Sequence, residues 1–393
     1  MPQLVNILAP TARTHPNANV GLGCALCALL TECGGIYESF DCLTRCCRKP
    51  STCAIACPLS ERFGELVTDG GGWGPSTAKI YQRPYAPLPQ YIPLIQHGSS
   101  RIALLEEPVV ALPTAIVFAL IRQNPNLDDL QLRTAFRLAP ETEIILTSVA
   151  TDAELEGLWR DMKMLDVPSA IARLRILHVT SPNFSFPISL PRTESLTNRS
   201  RIVKASEQLS AAGLSVIMHL NGTDRSDWEY WTDFLRERRE ITLVAKEFQT
   251  GLKSRQIATW HMAQMSILQD RIGRRLGLVA VGGRGALPEL TGLDSLTVID
   301  SSPFLKAMNR QVFTGESPWW KSRETPKGAP VDEHLRWNIK SYRAHLEKTL
   351  LALRTGTEQQ RRAIVQMPDV PHKAVSRVDQ GSFWPEMYLP KSA

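Results

Sequence analysis

The chain of 393 residues is 43% hydrophobic and 21% charged, which excludes an intrinsically disordered protein and leaves room for one large buried core. Its 45 basic and 39 acidic residues give a formal net charge of +6, a mild excess that permits an anionic ligand without forming a polybasic block. No apolar run reaches the roughly 18 residues that cross a bilayer, and the start of the chain lacks the pattern of a secretion signal. The sequence therefore predicts a cytoplasmic protein with no membrane partner.

The cysteines are confined to one short segment near the start of the chain. They are Cys24, Cys27, Cys33, Cys42, Cys46, Cys47, Cys53 and Cys57. In a reducing cytoplasm such a cluster is hard to explain as a disulfide framework. We therefore predict a flexible stretch over residues 1–23 and a metal-binding module over residues 24–67.

The spacing of the cysteines suits metal ligation by thiolates alone. The pair Cys24 and Cys27 can direct two sulfurs at one ion from a tight turn, and eight thiolates suffice for two four-sulfur sites. The segment ends in Cys53-x3-Cys57-Pro58, like the close of the bacterial ferredoxin run, and contains no histidine. The expected cofactor is an iron–sulfur cluster ([4Fe-4S]) or Zn²⁺, structural or catalytic, with buried thiols or redox pairs as the alternative.

After the cysteine segment, the sequence changes from a stretch rich in Gly and Pro to a regular alternation of strand and helix patterns. Residues 68–90 are rich in Gly and Pro and are predicted to link the cysteine module to the main domain. From residue 91 to 313, short β-branched runs alternate with longer helical stretches, which is typical of a parallel sheet with crossover helices. The number of units predicts an α/β fold, a (β/α)8 TIM-like barrel.

The individual elements follow from the apolar runs and the stretches between them. The first strand is predicted at 91–95 or at 109–113, and further strands at 143–148, 175–180, 214–220, 241–248, 276–283 and 296–301. Helices are predicted at about 114–123, 152–164, 196–212, 225–238, 252–274, 286–290 and 302–311. Thr151 and Glu154 form a capping-box pattern that marks where the second helix begins.

The end of the chain divides into two parts. Residues 314–355 combine a Pro-rich loop with a helix from about 331 that should pack on the outside or bottom of the barrel, and residues 356–393 are predicted to be a weakly ordered tail.

Polar residues that follow the predicted strands are the candidate catalytic groups, because the carboxyl ends of barrel strands carry the chemistry. They are Asn183, His219, Glu247, Gln249 and Asp300. His219 and Glu247 follow consecutive strands, and a carboxylate beside the histidine is expected to raise the imidazole pKa and orient its ring for proton transfer or anion binding. The alternative is a buried hydrogen-bonded network that holds the barrel together.

A second group of residues follows the last two strands, where barrels often bind a phosphate. It consists of Gly282, Gly283, Arg284, Ser301 and Ser302. The alternative for these residues is a tight turn and a plain helix N-cap that need no ligand.

Two resemblances follow from these motifs. The stretch SPNFSFPISLPRTESLTNRSRIVKASEQLSAAGLSVIMHLNG at 181–222 resembles an uncharacterised bacterial and mobile-element domain family, which implies a barrel but no assigned activity. Through the loop at 282–283 and the order of its elements, the chain is also faintly similar to the transglycosylases that exchange guanine in nucleic acid, which implies a base-modifying transferase. Those enzymes carry their zinc cysteines after the barrel strands, whereas here the cysteines precede them.

Two functions are consistent with these observations. The first is a metal-containing barrel enzyme acting on a phosphate-bearing substrate, a small molecule, nucleotide or nucleic acid base. The second is a non-catalytic scaffold whose zinc module and basic helices bind nucleic acid or a protein. Convergence of the strand-end residues on one site would favour the enzyme.

Overall fold

The computed structural model describes residues 50–355 apart from 58–59, 75, 85–86, 187–189, 224, 249–254, 291–292, 294 and 327. Six of the eight cysteines, the candidate Gln249 and the predicted C-terminal tail lie outside the described residues.

Eight parallel strands form the centre of the molecule. They are β1 (Tyr91–Pro93), β2 (Val109–Pro113), β3 (Glu143–Thr147), β4 (His178–Thr180), β5 (Val216–His219), β6 (Leu243–Glu247), β7 (Gly277–Val281) and β8 (Leu296–Asp300). They are hydrogen-bonded in the order β1-β8-β7-β6-β5-β4-β3-β2. A parallel bridge between Leu94 and Ala111, with the Ile95 N–H donating to the Ala111 carbonyl at 2.9 Å, links β1 to β2. The sheet is therefore a nearly closed barrel, as predicted.

The strands are buried on both faces. One set of side chains, which includes Ile217, Ala245, Val281 and Ile299, forms a core inside the barrel, and the alternate set packs against the surrounding helices. Strands of this kind appear in a sequence as apolar runs, which is why they could be predicted. The runs at 91–95 and 109–113 were predicted as alternatives for the first strand, and the structure has a strand at each.

The helical layer contains the following elements among the described residues. They are α1 (Phe63–Gly70), α2 (Thr114–Gln123), α3 (Asp129–Phe136), α4 (Asp152–Met164), α5 (Val167–Ala172), α6 (Arg192–Ala211), α7 (Arg225–Arg236), α8 (Arg255–Ile272), α9 (Leu287–Leu290), α10 (Ser302–Met308) and α11 (Asp332–Thr355). The short helices α1, α3 and α5 were not predicted. None of the helices in this part of the chain combines the length and apolar character needed to cross a membrane.

Helix α11 and a hairpin lie outside the regular alternation of strands and helices. The connection between β1 and β2 contains no helix. Helix α11 packs against β1 and α10, and the Tyr342 and Tyr91 ring centroids are 5.2 Å apart. A two-stranded antiparallel hairpin, β9 (Gln311–Phe313) and β10 (Trp320–Ser322), lies between α10 and α11 in the chain.

The predicted linker contains a segment that packs against the barrel. The Gln82 amide donates to the Val216 and Leu243 carbonyls at 2.9 and 2.8 Å, and its Oε1 accepts from the Leu243 N–H at 2.8 Å. Because β5 and β6 begin at these residues, this segment covers the amino-terminal end of the barrel and leaves the carboxyl end for the candidate site.

Candidate active site at the carboxyl end of the barrel

His219 and Glu247 are the last residues of neighbouring strands and face the barrel interior. His219 pairs in register with Ala245, which belongs to the inner core. Glu247 lies two residues beyond Ala245, and so on the same face and nearer the mouth. Both side chains are buried, with 0% and 7% of their surface exposed. The structure therefore places this predicted pair on the same side of neighbouring strands.

The ring of His219 is held in one orientation by the end of β4. Its Nδ1 lies 2.7 Å from the Ser181 carbonyl oxygen, and its backbone N–H donates to Ser181 Oγ at 2.8 Å. A carbonyl can only accept, so Nδ1 carries the proton and Nε2 carries a lone pair. Nε2 is buried and has no hydrogen-bond partner within the described ranges. The lumen thus contains an acceptor to which no described residue donates.

The electrostatics of His219 differ from the prediction. Its pKa is lowered to about 4, mainly by burial; the hydrogen bond to Ser181 partly opposes this, and the charge of Lys246 adds a smaller lowering effect. The expectation that a carboxylate raises this pKa and orients the ring is therefore wrong. The Ser181 carbonyl orients the ring, and the imidazole is neutral at pH 7, so it does not bind an anion as an imidazolium.

Asn183 lies in the loop that follows β4 and is hydrogen-bonded to the loop that follows β5. Its Oδ1 accepts from Asn221 Nδ2 at 2.8 Å, and Asn221 also donates to the Phe184 carbonyl at 2.9 Å. Because Asn221 comes two residues after His219, the pair joins the loops that follow β4 and β5.

Asp300 is not brought together with His219 and Glu247. Its Oδ1 accepts from the Ser302 N–H at 2.7 Å, and its Oδ2 accepts from the Tyr342 hydroxyl of α11. The carboxylate therefore points toward the helical layer. There it orders the first turn of α10 and holds α11 against the barrel.

The loops after β7 and β8 have the geometry of tight turns. Gly282 and Gly283 have φ of 76° and 90°, and a Cβ on Gly283 would lie 3.3 Å from the Phe248 ring. The Gly282 N–H donates to the Ile299 carbonyl at 2.7 Å, and the Ser302 N–H is bound by Asp300. Ser301 is the N-cap of α10 and makes no side-chain capping bond. These two N–H groups are thus used within the fold.

Arg284 is the residue in these loops whose positive charge could bind a phosphate. Its guanidinium lies 4.8 Å from the centroid of the Trp319 ring, and the side chain is partly exposed. It has no acidic partner within 4 Å in the part of the chain that the structure describes.

The last two cysteines lie in a segment docked onto the start of α6. The Ala56 N–H donates to Glu194 Oε2 at 2.6 Å, Thr193 donates to the Ala56 carbonyl, and Ser60 donates to the Cys53 carbonyl at 3.3 Å. The helix α6 follows β4, so its first residues lie on the side of the barrel where the strands end. Among the described residues, no group of three or more His, Cys, Asp or Glu side chains is placed to hold a metal.

A buried ionic network next to this segment was not predicted. Asp227 accepts from Arg192 Nη1 at 2.8 Å, from Arg199 Nη1 at 3.3 Å and from the Thr223 N–H at 2.8 Å, and it is fully buried. Burial by itself would raise the pKa of Asp227, but the two guanidinium groups and the Thr223 N–H outweigh it and lower the pKa. The network joins the first turns of α6 and α7 at the carboxyl end of the barrel.

Lys246 was also missed, although its position in an apolar strand run was a usable signal. It lies on the face of β6 opposite Glu247 and is 2% exposed. Burial lowers its pKa to about 7, and the neighbouring Glu247 only partly opposes this.

No known protein family and no curated protein sequence matches the chain.

Proposed function

We propose that this chain is a barrel enzyme whose reaction takes place at the carboxyl ends of β5 and β6. Glu247 accepts a proton from the substrate, and His219 Nε2 accepts a hydrogen bond that orients it. The observation that carries the proposal is the His219 ring, with Nδ1 bound to Ser181 and Nε2 left as a buried acceptor. An unsatisfied buried acceptor costs about 1–3 kcal/mol, which a substrate N–H or O–H would recover.

The division of roles follows from the charge states. A histidine with a pKa of about 4 is neutral at pH 7, so its Nε2 accepts a hydrogen bond and stays unprotonated. The role of proton acceptor is therefore assigned to the carboxylate of Glu247 on the next strand. Asn183 and Asn221 supply amide groups at the same edge for positioning a polar substrate.

We propose a phosphate-bearing substrate, a small molecule, nucleotide or nucleic acid base. Support comes from Arg284, which lies after β7 without an acidic partner in the described part of the chain, and from the net charge of +6. A base-modifying transferase is one reaction of this class. Gly282 and Gly283 shape the turn that carries Arg284.

We also propose that the cysteine segment binds a [4Fe-4S] cluster or Zn²⁺. The chemistry of eight thiolates supports this, and Cys53 and Cys57 lie in a segment docked on the side of the barrel where the strands end. A cluster would supply electrons or a Lewis acid there, and zinc would supply a Lewis acid or a structural staple.

Metal content is the first expected outcome. Protein purified without oxygen should contain stoichiometric iron with sulfide and a brown absorbance near 400 nm, or stoichiometric zinc, by elemental analysis. The variants C53S and C57S should each lower the metal per chain, because each removes one thiolate. Protein that folds with neither metal would contradict this part of the proposal.

Turnover is the second expected outcome. The wild-type chain, loaded with its metal and incubated with a mixture of phosphorylated metabolites and nucleosides, should convert at least one of them by mass spectrometry. Glu247→Gln should reduce that conversion by about 10²–10⁴-fold, the usual effect of losing a general base, at an unchanged melting temperature. His219→Leu should raise KM and lower kcat, because it removes the orienting acceptor.

The matched control is Glu143→Gln, which makes the same change at the exposed amino end of β3 and should leave turnover intact. Glu247→Gln that lowers the melting temperature by several degrees but keeps its turnover per folded molecule would contradict the assignment. So would a wild-type chain that converts nothing, and that result would favour the scaffold.

A further inference from the structure

A polar cluster is buried between β6 and the helices α7 and α8, on the opposite side of β6 from the candidate active site. Lys246 extends its amine into this layer, where Nζ donates to the Leu220 carbonyl at 3.0 Å. The same Nζ lies 5.6 Å from the centroid of the Trp228 ring on α7. That ring lies 5.9 Å, centroid to centroid, from His261 on α8. Three elements therefore contribute one polar side chain each to the same buried region.

Two atoms of the cluster, Trp228 Nε1 and Gln264 Nε2, are donors, and His261 Nδ1 donates or accepts according to its tautomer. Trp228 Nε1, His261 Nδ1 and Gln264 Nε2 are buried atoms without a hydrogen-bond partner in the described part of the chain. Their side chains are 3%, 6% and 4% exposed, and Gln264 follows His261 by one turn of α8. Lys246 makes one hydrogen bond and has no carboxylate within 4 Å among these residues.

We propose that Lys246, Trp228, His261 and Gln264 form a binding site for a small carboxylate monoanion such as formate or acetate. One negative charge would neutralise the single ammonium group, and two carboxylate oxygens would accept from the ammonium, the indole N–H and the amide N–H. Buried donors without acceptors are costly, and a buried charge is stable only when it is paired.

The electrostatics of the cluster favour an anionic ligand. Burial lowers the pKa of Lys246 to about 7. Burial also lowers the pKa of His261 well below its usual value, and the positive charge of Lys246 has a smaller effect in the same direction. A bound carboxylate would reverse the shift of Lys246 by stabilising its charged form.

The test is the melting temperature of the whole chain as formate or acetate is added, with chloride at equal ionic strength as the reference. A ligand that binds only the folded state raises the melting temperature in a saturable way. The wild type should show this rise with carboxylates and not with chloride. Lys246→Met should lose it, and Lys340→Met, which removes an exposed lysine on α11, should keep it.

A second variant keeps the test decisive if Lys246→Met does not fold. Trp228→Phe retains the ring and removes the indole N–H, and it should weaken carboxylate binding about 10-fold, the effect of one lost hydrogen bond to a charged ligand. If the melting temperature of the wild type shows no saturable rise, or if Lys246→Met shows an equal rise, the proposal is wrong and water would bind these groups instead. Either result would leave the roles of His219 and Glu247 untouched, because those side chains face the barrel interior.

Discussion

Replacing Asp227 by alanine should lower the free energy of unfolding by about 3–5 kcal/mol, the usual cost of removing one partner from a buried ion pair. The change removes a carboxylate that accepts from the buried guanidinium groups of Arg192 and Arg199 and from the Thr223 N–H. Asp227→Asn should cost less, because an amide oxygen can still accept one of these bonds. Urea unfolding at pH 7 measures both.

The matched control is Asp233→Ala in the same helix. Asp233 pairs with Arg236 three residues along α7, and both side chains are more than half exposed, at 72% and 52%. Exposed pairs contribute little, so this change should stay within about 0.5 kcal/mol of the wild type. If the two alanine variants unfold at the same urea concentration, the ionic network does not stabilise the carboxyl end of the barrel.

Acid should destabilise the folded chain well above the pH at which carboxylates titrate. Burial lowers the pKa of both His178 and His219 to about 4, from an unfolded value of 6.5. Between these values the unfolded chain binds more protons, so stability falls as pH drops below 6.5 and continues to fall toward pH 4. Each histidine should cost about 2 kcal/mol at pH 5 relative to pH 8, or about 4 kcal/mol together.

Urea unfolding at pH 8 and pH 5 isolates the two histidines. His219→Gln and His178→Gln should each reduce the difference between the two pH values by about 2 kcal/mol, and the double variant by about 4 kcal/mol. Lys340→Met, an exposed change on α11, should leave the difference unchanged. A double variant as acid-sensitive as the wild type would show that other groups cause the loss.

The regular elements were predictable where a local physical signal is strong. Helices α2 and α4 begin and end at the predicted residues, and Thr151 and Glu154 form the expected capping box. The polar helix α6 shows the limit of such signals. It was predicted from residue 196, but it begins at Arg192, and polar side chains such as Thr193 and Ser195 are completely buried. They are buried because α1 and the segment before it cover α6 in the tertiary structure, which a local pattern does not reveal.

The sequence by itself predicted a parallel barrel with His219, Glu247 and Asp300 at the ends of its strands, because each of these three strands is a mainly apolar run with a polar residue at its close. Only the tertiary structure decided which way those residues face. Glu247 and Asp300 are both the last residue of a strand, yet Glu247 shares the inner face with Val281 and Ile299, whereas Asp300 binds Tyr342 in the helical layer. Strands buried on both faces show no alternation of apolar and polar residues, so the inner and outer faces are set by the register of the closed sheet.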